Sequence, residues 1–347
     1  MKHYQLSASP LTRTPSRMGI RSPLWGRSHI QWLLYSPQSL PWARGTWISV
    51  LLSLTLTLSL PVKAVTYERE DSVRVVELLQ KGRRQAADKN LVLYYAHQFL
   101  GIPYVGHTLE VNKEEELVVN LRELDCTTFV ETVTALTLTT KHGEITWQDY
   151  LRWLQTIRYS KGKIDGYCSR NHYFSQWITS NTLLGVVEEQ TGTDYPFIAT
   201  QQLQLNYMSR HPEYYTMLKD NPEDVKTIAQ LEKAVSGTEV RYIPSSLLNE
   251  SRDALKCIND GDILALVTKK NGLDVSHVGF AEWGKDGKLY LLDASSIYKK
   301  VVLEPMPLYQ YAKRQPTMLG IRVIRSPLPA PPLGECPKAE GRNDKSN

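Results

Sequence analysis

The chain has 347 residues and a formal net charge of +5, room for one large domain or two ordinary ones. Residues 1–64 carry seven basic side chains (Lys2, Arg13, Arg17, Arg21, Arg27, Arg44 and Lys63) and no Asp or Glu. Taking those seven charges from +5 leaves −2 for the remainder, so nothing after residue 64 argues for a nucleic-acid surface.

In chain order, the first readable element is the apolar run Ile48–Leu60, followed by Pro61-Val62-Lys63-Ala64. A basic flank, a short apolar core and a small terminal residue are the pattern of a secretory signal peptide, so residues 1–64 are expected to be an export segment. The run is too short to cross a hydrocarbon core comfortably, and no permanent membrane span is expected. No cysteine follows the cleavage point, which speaks against a lipoprotein anchor. The stretch before Arg44 is longer than an ordinary signal and rich in Ser, Pro and Arg. It reads as disordered, or as lying upstream of a true start such as Met18.

Val73, Val76 and Leu79, then Leu91, Leu93, Tyr94 and Phe99, predict two helices parted by a turn at Lys81-Gly82-Arg83-Arg84. Gly101-Ile102-Pro103-Tyr104-Val105-Gly106 breaks helix. Residues 117–124 (LVVNLREL) predict a strand that delivers Asp125 as N-cap to a helix starting near Cys126, with Phe129, Val130, Val133 and Leu136 on its apolar face. A further helix is expected over Trp147–Ile157. Between about 160 and 250, Gly162, Gly166, Pro196, Pro212, Pro222 and Pro244 punctuate short segments, predicting irregular loops and a few helices. The remainder is β-rich: Ile263–Val267, Val278–Ala281, Leu289–Leu292 and Ile321–Ile324. From Pro327 a Pro-rich polar tail reads as disordered, which leaves 65–326 as a single domain.

Two segments carry chemistry. Cys126 stands in the opening turn of a capped helix, and His277 heads a strand in Ser276-His277-Val278-Gly279-Phe280. A helix N-terminus and a nearby imidazolium both stabilise a thiolate, so the two supply a thiol nucleophile and its base once folding brings them together. Asp293, in Leu292-Asp293-Ala294-Ser295-Ser296, lies one strand further on, where a carboxylate orients an imidazole. Each residue also has an ordinary explanation: a buried small hydrophobe, a satisfied histidine, a turn former. Only their combination is suggestive. The other histidines after residue 64 show neither H-x-H nor H-E-x-x-H spacing, and no G-x-S-x-G elbow occurs, so neither a metal nor another cofactor is expected. Cys126, Cys168, Cys257 and Cys336 include no C-x-x-C pair. A Cys168–Cys257 disulfide stays open, and both are otherwise small buried hydrophobes.

The segments Gly101–Tyr104, Leu124–Glu131, Asp260–Ile263, Ser276–Phe280 and Leu292–Ser296 resemble the NlpC-type cell-wall cysteine hydrolases, and within them the N-acetylmuramoyl-L-alanine amidase-like branch. The likeness runs over most of residues 70–325; its most specific parts are Asn120–Glu131 and Ser169–Ser175. It implies an α+β fold with a papain-like core: the nucleophile at a helix N-terminus, packed on an antiparallel β-sheet, with family-specific insertions. It also implies Cys126 as nucleophile, His277 as base and Tyr104 near the cysteine as oxyanion support. The third group in this superfamily is often a histidine, and here the matching position is Asp293. The implied activity cuts N-acetylmuramic acid from L-alanine in disaccharide-peptide fragments of peptidoglycan, anhydro-muramoyl ends included, in the periplasm or cell envelope. Asp125, Arg170, His172, Tyr173 and Ser276 are then candidate substrate contacts, Arg170 to Tyr173 suiting carboxylate and sugar groups. Three other readings stay open: a γ-D-glutamyl–diamino-acid endopeptidase on the same fold, a non-catalytic envelope-binding module, and acyl transfer in place of hydrolysis.

Overall fold

The structure, a computed structural model, describes residues 65–326; the expected export segment and Pro-rich tail lie outside the described residues. A short strand β1 (Val65–Thr66) leads into α1 (Arg69–Arg83) and α2 (Leu91–His97), and β2 (Leu117–Val118) pairs in parallel with β1. Next come α3 (Cys126–Lys141) and α4 (Trp147–Arg158), then α5 (Phe174–Leu183), β3 (Glu188–Gln190), β4 (Ala199–Gln202), α6 (Tyr207–Arg210), α7 (Pro222–Val235) and β5 (Glu239–Pro244). The last part runs β6 (Ile263–Thr268), β7 (Val275–Trp283), β8 (Leu289–Ser295), β9 (Lys300–Leu303), α8 (Leu308–Arg314) and β10 (Met318–Arg325). The main sheet has the order β4-β5-β10-β6-β7-β8-β9, with β3 on β10, and every pairing in it is antiparallel.

Both faces of the central strands are covered, which is why Ile263–Val267 is a continuous apolar run rather than an alternating one. Val278, Phe280, Leu292 and Ala294 pack with α3 in one cluster, while Ala281, Leu289 and Leu291 join Leu308 and Tyr311 of α8 in a second. A smaller cluster of Tyr167, Tyr173, Leu205, Met208, Leu218 and Ile228 anchors the α6–α7 region.

Helix α3 is buried at every position from Thr128 to Thr139. Its threonines tolerate this because hydroxyls of Thr137 and Thr139 donate back to the carbonyls of Val133 and Ala135 (2.8 and 2.7 Å). The single charge in that run, Glu131, is met by Arg158 of α4 at 2.6 Å, and the same guanidinium donates to the Val118 carbonyl at 2.6 Å. One buried ion pair therefore ties α3, α4 and the β2 segment together.

The structure departs from the sequence expectation in several places. Residues 117–124 are not a strand throughout: Asn120 Oδ1 accepts from the amides of Arg122 and Glu123, folding a turn, and Asp71 accepts from the Leu121 amide. Helix α1 continues through Gly82, which is there because Tyr95 leaves no space: an added Cβ would lie 1.8 Å from its hydroxyl oxygen. The 160–250 segment adds three strands to the main sheet as well as helices. Strand β9, only four residues long and directly preceded by Lys299, covers the edge of β8.

Removing one member of a buried ion pair leaves the other charged and unsolvated. Arg158→Met is expected to cost roughly 3–5 kcal/mol in urea unfolding, and adding Glu131→Leu should recover a large part of it.

Candidate active site

Asp125 ends an extended segment and caps α3: its carboxylate accepts from the Thr128 amide at 2.8 Å, while the Thr128 hydroxyl accepts from the Asp125 amide at 2.9 Å. That box fixes the first turn, and Cys126 is the first residue in it. A negative charge on its sulfur lies at the positive end of the helix dipole. The segment before the cap is pinned as well. Tyr104 bridges to Leu124, the Leu124 amide donates to the Pro103 carbonyl, and the Tyr104 amide donates to Lys299.

His277 is the third residue of β7, not the first. Its aim depends on a bulge: Leu266 pairs with His277 but Val267 pairs with Val275, leaving Ser276 as the extra residue. Val275 and Val278, three apart, both pack against the α3 cluster, so the usual alternation slips by one between them and re-aims the imidazole. Nε2 of His277 meets Oδ2 of Asp293 at 2.5 Å, with the imidazole 10 % exposed and the carboxylate fully buried. Gly279 makes room for this contact. A Cβ there would stand 2.8 Å from the Asp293 Cβ and 2.8 Å from the Leu292 carbonyl oxygen.

Burial alone would suppress charge on His277, but Coulombic attraction to Cys126 and hydrogen bonds to Asp293 and Cys126 outweigh it. The imidazole pKa is held well above its ordinary value. Burial, followed by the charges of Cys126, Asp125 and Asp293, pushes the Tyr104 phenol up to about 12, so it remains a protonated donor. The other two thiols among the described residues are different. Cys168 and Cys257 are free, and burial pushes the first to about 12 and raises the second.

Cys126, Thr127, Ser276 and His277 form one side of a cleft of about 210 Å³ whose far wall is Tyr167, Asn171, His172 and Tyr173. Of the residues singled out from sequence, Cys126, His277 and Asp293 come together, with Tyr104 beside them, and His172, Tyr173 and Ser276 face the cleft. Asp125 has its carboxylate occupied as the helix cap. Arg170 stands behind the wall, with its guanidinium forked onto Glu115 (2.9 and 2.5 Å) and Glu110 3.8 Å away. His172 donates from Nε2 to the Tyr167 carbonyl at 2.8 Å. Burial and the neighbouring Arg170 charge lower its pKa to about 3, so it is a neutral ring. The Tyr173 hydroxyl donates to Glu232 at 2.6 Å.

Three supporting residues were not read from sequence. Glu115 lies in the acidic run Glu114-Glu115-Glu116, which looks like a solvated face; its one signal is an arginine far downstream that needs a carboxylate. Asp274 accepts from the amides of Ser175 (2.6 Å) and Val275 (2.8 Å), fastening the start of α5 to the start of β7. Glu304, 1 % exposed, lies beyond Asp293 and is bonded by the Ser295 hydroxyl at 3.0 Å. Only its place between an apolar strand and a proline marks it.

A mixed helix-and-sheet protein with a thiol and an imidazole on a cleft, and a buried carboxylate behind the imidazole, is the class that these observations define. The chain belongs to the AmiA-like, N-acetylmuramoyl-L-alanine amidase-like family, whose model matches residues 94–321. A solved N-acetylmuramoyl-L-alanine amidase from Bacteroides uniformis is 42 % identical, with 71 % of this chain and 99 % of that one covered and a TM-score of 0.64. A Bacteroides fragilis protein provisionally described as a xylanase is 46 % identical over 67 % of this chain and 99 % of its own, with a TM-score of 0.63. A Legionella pneumophila protein of the family model DUF1460 shares the fold at 22 % identity, with a TM-score of 0.57 over 74 % of this chain and 94 % of that one. Among curated proteins no sequence matches. No helix among the described residues is long and apolar enough to cross a membrane.

The upward shift of His277 has a definite sign. Stabilisation from its charged form is complete below the ordinary histidine value of about 6.5 and is lost as pH rises through the raised value. Imidazole titration by NMR should place His277 above that ordinary value, and Cys126→Ala should lower it by removing the largest of the attractive charges.

Proposed function

We propose that this protein is an exported peptidoglycan amidase that hydrolyses the bond between N-acetylmuramic acid and L-alanine, with anhydro-muramoyl fragments among its substrates. The observation that carries the reading is the cysteine at a capped helix N-terminus beside an aspartate-bound histidine, in a chain of the N-acetylmuramoyl-L-alanine amidase-like family. The fold is read as papain-like and NlpC-type, and residues 1–64 as the segment that sends it to the periplasm or envelope. The solved B. uniformis relative, an amidase, supports the bond assignment.

In this mechanism the Cys126 thiolate attacks the lactyl carbonyl of the muramoyl group. The α3 N-terminus and the Tyr104 hydroxyl offer donors to the oxyanion. His277, already protonated as the partner of the thiolate, gives its proton to the leaving amine of L-alanine, leaving a thioester on Cys126. A water, deprotonated by His277, then hydrolyses the thioester and restores the pair. Asp293 holds the ring orientation and stabilises its charge in both halves. The aromatic wall of Tyr167 and Tyr173 and the neutral His172 suit the faces and hydroxyls of a sugar.

A glycosidase reading, prompted by the B. fragilis relative, needs two carboxyl groups flanking a sugar bond, one acid and one free base or nucleophile. Here Asp293 is bound to His277, Asp274 accepts two backbone amides, and Glu110 accepts from Tyr167, so the arrangement favours the thiol.

Products decide the matter. Incubation with a defined disaccharide-peptide should release free disaccharide and a stem peptide that begins with L-alanine, read by mass spectrometry. Release of an L-alanyl-D-glutamate dipeptide would move the enzyme to the endopeptidase reading, and binding without turnover would make it a binding module. Cys126→Ala should lower turnover by roughly 10³-fold or more with the fold intact. Asp293→Asn should reduce kcat far more than it raises KM, because it disturbs His277 rather than substrate contacts; equal losses in both would assign Asp293 to binding.

A further inference from the structure

Behind His277 the structure holds two carboxyl groups, not one. Asp293 is fully buried and Glu304 is 1 % exposed. Strands β8 and β9 pair in the register Leu292↔Leu303 and Asp293↔Val302, and the Glu304 amide continues the ladder by donating to the Leu291 carbonyl at 2.8 Å. Glu304 therefore stands diagonally beside Asp293 on the same face of the sheet, a separation that two such side chains span. Each has one oxygen in use: Oδ2 of Asp293 meets His277, and Oε1 of Glu304 accepts from Ser295. The other oxygens, Oδ1 of Asp293 and Oε2 of Glu304, are both buried and have no hydrogen-bond partner among the described residues.

Two buried carboxylates beside each other disfavour ionising together, and two orphaned acceptors on one sheet face are resolved by one proton between them. We propose that Glu304 is a neutral carboxylic acid in the working protein, donating from Oε2 to Oδ1 of Asp293, and so acts as a positioning residue for the His277 base. The hydrogen-bond chain then runs from the Ser295 hydroxyl through Glu304 to Asp293 and His277, with every buried oxygen satisfied and one negative charge on the carboxyl pair.

The electrostatics agree. Burial and then the charge on Asp293 raise the Glu304 pKa, whereas Asp293, raised by burial, is pulled back by His277. Of the two, Asp293 is the one with a cation beside it and ionises first. Two phenols also feel this pair: Tyr311 of α8, pushed up by burial and by Asp293, Glu304 and Cys126, and Tyr104, pushed up by burial and by Cys126, Asp125 and Asp293; neither contributes a charge. The catalytic part of the proposal rests on the thiol-amidase reading above.

Infrared difference spectroscopy tests the protonation without any substrate. At neutral pH the wild type should show the carbonyl stretch of a buried protonated carboxylic acid that vanishes in Glu304→Gln; a spectrum without that band overturns the proposal. Kinetics test the role. Glu304→Leu, which offers no donor, should lose kcat roughly ten- to a hundredfold, the worth of a hydrogen bond to a charged group, with KM nearly unchanged. Glu304→Gln, neutral and still a donor through its amide, should restore most of the loss. A Gln variant as poor as Leu means that an ionised Glu304 is required, and a Leu variant as active as wild type means that it positions nothing; either result sinks the proposal. Iodoacetamide labelling of Cys126, resolved from Cys168, Cys257 and Cys336 by peptide mass spectrometry, should fall into the same order without turnover. If the amidase reading itself is wrong, wild type and variants alike will leave muropeptides intact while the infrared band and labelling order still report on Glu304.

Discussion

The constraint on which the rest of the molecule depends is the placement of one helix end. Cys126 can meet His277 only if α3 enters the core at one angle and depth, because the cysteine belongs to its first turn. The helix has no solvent face over twelve residues to adjust with, so its position is set by packing and by one internal charge pair. Glu131 lies little more than one turn from Cys126, and Arg158 holds it from α4 while also gripping the Val118 carbonyl. A buried pair of this kind contributes little net stability compared with well-packed apolar side chains. What it determines here is location: neither α3 nor α4 can slide without uncovering a charge.

The same device recurs around the cleft. Arg170 is fixed by Glu115 behind the aromatic wall, and Arg322 of β10 reaches Glu189 and the Ser175 hydroxyl. Asp274 binds two amides where the wall meets the sheet. The block Arg170–Ser175 is thus held from behind by polar groups while its rings face the opening. That division suits a site in which shape is provided by aromatics and their placement by ions that no substrate touches. Arg170, which by its charge alone resembles a ligand for carboxylates, shows the difference between the two tasks.

Much of this was legible in the chain itself, and the reasons are local. Asp125 followed by Cys126 and an apolar helix is a cap signal whose physics needs no distant partner, so the setting of Cys126 could be read directly. The apolar runs of β6, β7, β8 and β10 likewise announce strands buried on both faces. What stayed hidden depends on distant groups. The bulge at Ser276 exists only against Leu266 and Val267 of the neighbouring strand, and so the offset that aims His277 leaves no mark of its own. Gly82 looked like a turn because its real reason, the Tyr95 ring, lies outside its own helix. Glu115 and Glu304 are acidic residues that any single-chain reading assigns to the surface until their burial is seen. The papain-like reading came from resemblance, not from periodicity or spacing.

The wide separation of Cys126 from His277 along the chain has a bearing on how the protein comes to life. The two are brought together by α3 packing on β7, a contact that closes a loop of some 150 residues. Pairings of such long range are formed late, after the entropy of loop closure has been met by other contacts. A fragment that lacks either α3 or the β7–β8 pair cannot bring the sulfur, imidazole and carboxylate together. The meeting of Cys126 with His277 is therefore a property of the completed fold rather than of either segment alone.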